Sequence, residues 1–115
     1  MNKGKKVAKL TRSREQTAAL LRSLARDLVT HGELHTTEKR AKALRPYVER
    51  LITKARRGDV ASRRYVNRFL DDAATSRLCD EVAVRYRERP GGYTRIIKAQ
   101  QRESDKSKMA IIELV

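Results

Sequence analysis

Tryptophan is absent from these 115 residues, phenylalanine and cysteine occur once each, and proline and histidine twice each. Each scarcity excludes something. With Cys79 alone there is no internal disulfide, and one thiol with two scattered histidines supplies no metal-ligand cluster of workable spacing, so a buried, reduced Cys79 is expected. Readers of single-stranded nucleic acid need several exposed rings on which bases stack; four tyrosines and one phenylalanine argue against such a platform. No apolar run approaches the roughly 20 residues of a membrane-spanning helix, and the N-terminus has no apolar signal region. A soluble, cytoplasmic chain with no membrane partner is therefore expected. Acid is scarce as well: 14 Asp and Glu stand against 28 Lys and Arg, leaving a formal charge of +14. A domain so basic repels itself unless a polyanion neutralises it, and nucleic acid is the first partner to expect.

What is present points to one folded domain over residues 1–115, too short for two separate cores. Residues 1–12 read as a basic extended arm. Lys3, Lys5, Lys6, Lys9 and Arg12, followed by Arg14, are interrupted by no acid and no amphipathic period. The bland reading is a solvated tail, but uniform sign favours phosphate contact. Ser13-Arg14-Glu15-Gln16 has the form of a capping box, so a helix is expected from there, with Ala18, Leu21, Leu24, Ala25 and Leu28 on its inner face and Gly32 closing it. Glu33 to Thr37 is expected as a short strand. Thr37 then caps a second helix with Ala41, Leu44, Val48, Leu51, Ile52 and Ala55 inward, kinked at Pro46 and closed by Gly58. Asp59 caps a third, with Ala61, Tyr65, Val66, Phe69 and Leu70 inward. A fourth, capped by Asp72 or Thr75, runs on Leu78, Val82 and Tyr86 until Pro90 and Gly91-Gly92 stop it.

The period changes after the glycines. Tyr93 to Gln100 and Met109 to Val115 read as two strands, the second with Ala110, Ile112 and Leu114 on one face, and the polar stretch 101–108 joins them as a hairpin. The predicted fold class is α+β: helix, short strand, three helices and a two-stranded C-terminal hairpin, the small sheet packed against helices. A sheet covered on one side has a wet side, which lets the β-branched second strand carry Arg95 and Lys98.

No constellation suggests catalysis. The acid pairs Asp71-Asp72 and Asp80-Glu81 resemble a two-metal nuclease only superficially; a helix break and an exposed helix face explain them. Gly91-Gly92 runs from helix to strand, opposite to nucleotide-binding glycine loops, and is read as a positive-φ turn. No cofactor, metal or small-molecule substrate is expected. Arg22 and Arg26, like Arg64 and Arg68, repeat at i, i+4 and can meet neighbouring phosphates, although solvated faces look alike. Of the third helix's cations, Arg63 and Arg64 are favoured over Arg68.

Three stretches together, "THGELHTTEKRAKALRPYVERLITKARRGD" (30–59), "RPGGYTRIIK" (89–98) and "MAIIELV" (109–115), give a resemblance, over roughly residues 10–115, to ribosomal protein seventeen of the bacterial large subunit. The resemblance implies the same α+β order and a non-enzymatic component binding large-subunit ribosomal RNA near the peptide tunnel exit, beside neighbouring large-subunit proteins. It also implies that the arm, the segment Thr36 and Thr37 through Lys39, Arg40, Lys42 and Arg45, the Arg63-Arg64 pair, and Arg95 face RNA. Two departures stand out: Asn2 to Lys9 replaces the family's Arg-His-Arg-like start, and Ser104-Asp105 and Ser107-Lys108 replace its usual Gly-Asp and Ala-Pro elements between the last strands. The competing function is a free-standing nucleoid or RNA-chaperone protein sharing the same charge.

Overall fold

The computed structural model describes residues 13–115. Helix α1 (Arg14–His31) opens with the reciprocal capping box: the Ser13 hydroxyl accepts from the Gln16 amide at 3.1 Å, and the Ser13 amide donates to the Gln16 side chain at 3.3 Å. It closes at Gly32, whose left-handed φ of 85° lets its amide donate to the Leu28 carbonyl at 2.7 Å. Strand β1 (Glu33–Thr37) leads into α2 (Glu38–Ala55), where the Thr37 hydroxyl accepts from the Arg40 amide at 3.2 Å. This helix runs on through Pro46, which sits on its exposed side.

Asp59 caps α3 (Val60–Val66), accepting from the Ser62 amide at 2.8 Å. The next cap is Asp71, not Asp72 or Thr75. Its carboxylate accepts from Ala74 at 2.8 Å, and Asp72 is already in the first turn of α4 (Asp72–Arg77). A π-helical turn, Leu78–Val82, joins α4 to α5 (Ala83–Arg85) in one rod. Gly91 and Gly92 then turn the chain at φ 135° and 64°, conformations an L side chain resists.

The last two strands are β2 (Thr94–Lys98) and β3 (Met109–Leu114), so Tyr93, Ala99, Gln100 and Val115 lie just outside the ladders. Three antiparallel strands form one sheet in the order β1-β3-β2, with Leu34 opposite Ile112 opposite Ile96. Helices α1 and α2 cover one face. Leu28, Leu44, Val48, Ile52, Leu78 and Ile112 are fully buried between helices and sheet. One inward assignment on α3 needs correction. Ala61 is exposed and its neighbour Ser62 buried, because a cap at Asp59 fixes a seven-residue helix whose buried apolar side chain is Val66. Phe69 and Leu70 pack inward as expected but from the turn after α3, and Cys79 is partly rather than fully buried, its thiol pushed up by burial.

The hairpin tip closes on itself. Arg102 grips Asp105 through two hydrogen bonds of 3.0 Å, the Ser107 amide donates to the same carboxylate at 3.1 Å, and Lys106 takes a φ of 61°. The polar replacements in this segment thus supply their own turn.

Candidate nucleic-acid interface

The strand-to-helix corner places one set of cations. The Glu38 amide donates to the Lys108 carbonyl at 2.9 Å, stitching the start of α2 to the approach to β3. Lys39, Lys42 and Lys108 therefore surround a hollow of about 500 Å³ floored by Thr37 and Ser107. The positive end of the α2 dipole adds to their field. Glu38 opposes it, 3.9 Å from Lys42. Arg40 is half-buried beside this corner and Arg45 exposed one turn on, 3.7 Å from Glu49. Thr36, by contrast, is buried on the core side of β1. It is a packing residue.

On α1, Arg14, Arg22 and Arg26 are exposed; Arg26 lies a loose 3.9 Å from Asp27. Arg63 is differently placed. Its guanidinium donates to both Asp80 oxygens at 2.9 and 3.3 Å and to Ser76 at 3.0 Å, bracing α3 against the helical rod and holding the Asp80 carboxyl below its usual range. Arg64 is exposed with no ion pair among the described residues. Arg95 lies on the sheet's uncovered face, opposite Glu113, and donates to that carboxylate at 2.6 and 2.9 Å. Lys98, at the end of β2, is exposed. Lys3, Lys5, Lys6, Lys9 and Arg12 lie outside the described residues.

Sequence reasoning passed over a second group. Tyr47 on α2 meets Phe69 edge-on at 6.1 Å, and Phe69 meets Tyr65 at 5.2 Å. Lys54 stands 5.0 Å and Arg68 6.0 Å from the Tyr65 ring centre. Burial pushes the Tyr47 hydroxyl up, while Arg22 and Arg50 stand close enough to offset part of that rise. Arg50 and Lys54 follow Tyr47 at i+3 and i+7, a stripe that was visible in the sequence. Tyr65 reads as inward beside Phe69, and Tyr47 falls outside the second helix's apolar set, so the cations around the two rings stay unconnected.

Among the described residues no three His, Cys, Asp or Glu side chains are grouped to hold a metal ion, and no helix is long and apolar enough to cross a membrane. The surface offers fixed cations and helix-end amides, a chemistry suited to binding phosphates.

The profile of the family described as ribosomal protein L17 matches residues 20–115. The chain belongs to the ribosomal protein L17 family. A large ribosomal subunit protein bL17 of Sphingopyxis alaskensis is 47% identical over 108 residues, covering 93% of this chain and 78% of that protein. Its counterpart in Exiguobacterium sp. is 47% identical over 114 residues, 94% of this chain and 97% of that protein. That of Erythrobacter litoralis is 46% identical over 116 residues, 100% of this chain and 83% of that protein. As an L17-family chain it is a ribosomal protein, a structural component and not an enzyme.

Proposed function

We propose that this chain is a structural constituent of the large subunit of the cytoplasmic ribosome, binding large-subunit ribosomal RNA near the peptide tunnel exit, beside other ribosomal proteins, and supporting subunit assembly and translation. Residues 1–115 act as one RNA-binding domain, with residues 1–12 as a basic arm. The observation that carries this reading, beyond family membership, is the disposition of charge. On a chain of +14, Arg14, Arg22, Lys39, Arg40 and Arg64 form no ion pair among the described residues, and residues 1–12 hold no acid that could supply one. A folded polyanion is what such a surface fits, through phosphate contacts that fix position by shape.

Sedimentation tests it. The tagged chain is expected to travel with large subunits through a high-salt wash. Recovery with chromosomal DNA instead would replace this reading with a free-standing nucleoid or RNA-chaperone role.

A further inference from the structure

Four tyrosines divide into two pairs by what their hydroxyls do. Tyr86 donates to the Val115 carbonyl, and the Tyr93 hydroxyl accepts from Arg56 at 2.9 Å, so both are spent inside the fold. Tyr47 and Tyr65 have rings half-buried against Phe69, and no hydrogen bond within the described residues engages either hydroxyl. Arg22 and Arg50 stand near Tyr47, and Lys54 and Arg68 over the Tyr65 ring, none in an ion pair among the described residues. Two carboxylates on the same side are already engaged. Asp71, which borders the hollow beside Arg22 and Phe69, caps Ala74, and Asp27 lies next to Arg26.

The rings meet edge-on or tilted and lean on the core, so they present no free flat faces between which a base could stack. What the face offers instead is a set of point charges beside two hydroxyls that have no hydrogen-bond partner among the described residues. That pattern matches a sugar–phosphate backbone, in which phosphates attract the cations and a ribose 2′-hydroxyl both donates and accepts.

We propose that the face formed by α1, the second half of α2 and α3 is a binding surface for the backbone of folded RNA, with Tyr47 and Tyr65 contacting 2′-hydroxyls. This deepens the reading of the chain as a ribosomal RNA-binding protein and rests on it. The surface is separate from the lysine-rich corner at the start of α2, and it makes the chain grip RNA from two sides. It also supplies discrimination against DNA that charge alone does not.

The test uses the full chain and a transcript of large-subunit ribosomal RNA, with duplex DNA as the comparison ligand, across a range of potassium chloride concentrations. The triple variant Arg50→Gln, Lys54→Gln, Arg68→Gln is compared with Arg77→Gln, Arg85→Gln, Arg102→Gln, which removes the same charge from outside the surface. The first is expected to flatten the log–log salt slope by roughly 0.7 to 0.9 for every phosphate it no longer neutralises, and the second by less than one such step. Tyr47→Phe with Tyr65→Phe keeps the packing and is expected to lower the preference for RNA over DNA about fivefold per hydroxyl. Wild-type chain that ignores the transcript would sink the ribosomal RNA reading itself. Wild-type binding, with both triple variants equally affected or with the double Phe variant unchanged in preference, overturns this surface alone.

Discussion

Glu49 holds the second strand to the second helix, and removing it should cost more than an ordinary surface carboxylate. Its Oε2 accepts from the Thr94 hydroxyl at 2.7 Å and from the Thr94 amide at 3.2 Å, with Arg45 at 3.7 Å on the solvent side. Thr94 is 3% exposed. Glu49→Ala therefore strands a buried amide and a buried hydroxyl that water cannot reach. Hydrogen bonds to a charged acceptor contribute about 1.5–3 kcal/mol, and a buried donor left unsatisfied costs about 1–3 kcal/mol. Because these describe one loss from two sides, the expected destabilisation is about 2–3 kcal/mol, not their total. At about 4–8 °C per kcal/mol for a domain near this size, the thermal midpoint should fall by roughly 8–24 °C. Glu49→Gln keeps an acceptor and should cost about half as much. Urea unfolding followed by far-ultraviolet circular dichroism gives the free energies, and Thr94→Val completes a double-mutant cycle. In the Thr94→Val background Glu49→Ala should cost about 1 kcal/mol less, since one of the two donors has gone. A cost under about 0.5 kcal/mol, or strictly additive changes, would refute the carboxylate as the tie between α2 and β2.

Three further outcomes are expected. Leu51, 3% exposed in the second half of α2, should lose about 2–5 kcal/mol as Leu51→Ala in the same urea experiment; a loss near zero would mean that this face of α2 does not point into the core. Deleting residues 1–12 should leave the thermal midpoint unchanged while flattening the salt slope of RNA binding by roughly 0.7–0.9 for each phosphate the arm neutralises, and an unchanged slope would show an idle arm. The grip of Arg102 and Ser107 holds the Asp105 carboxyl well below the usual carboxylate range. A folded value below the unfolded one, about 3.9, means the turn's stabilisation is complete above that pH and disappears as pH falls through the folded value. Carboxyl carbon shifts should therefore titrate late for Asp105 in the intact chain and at an ordinary pH in Arg102→Ala; an ordinary value in the intact chain would remove the ion pair from the tip.

Local rules were readable where a few neighbouring residues decide the outcome. Ser13 with Gln16, Thr37 with Arg40, and Asp59 with Ser62 each close a hydrogen bond over three residues, so the starts of α1, α2 and α3 follow from sequence spacing. Asp71 and Asp72 illustrate the limit. Either could cap, and the choice falls to Asp71 because the turn after α3 delivers it with extended backbone while Asp72 enters the helix. Thr75, the other candidate cap, is buried; its hydroxyl donates to the Leu70 carbonyl and accepts from the Asn67 side-chain amide across that turn. The rod from 72 to 85 holds a subtler case. Ala74, Leu78, Val82 and Tyr86 are all buried at an even spacing of four, a run that drifts about 40° per step around an α-helix. The π turn at 78–82 winds less per residue and takes that drift back. The spine could be read correctly from the sequence while the device that straightens it stayed hidden.

Charge shows the same division more sharply. Composition counts the cations of this chain but says nothing about which of them the fold consumes. Arg95 meets Glu113 only because β2 and β3 pair in a register that sets them opposite, 18 residues apart, and Arg63 reaches Asp80 only because α3 crosses the helical rod. Arg68 lies five residues beyond Arg63, yet it finds a tyrosine ring and no carboxylate. A cation already held by its own acid offers an incoming phosphate little, since the new pairing must break the old one and desolvate the acid left behind. Phosphate binding by this chain should therefore track the free cations of α1, α2 and the Tyr47–Tyr65 face, and not the local density of arginine along the sequence.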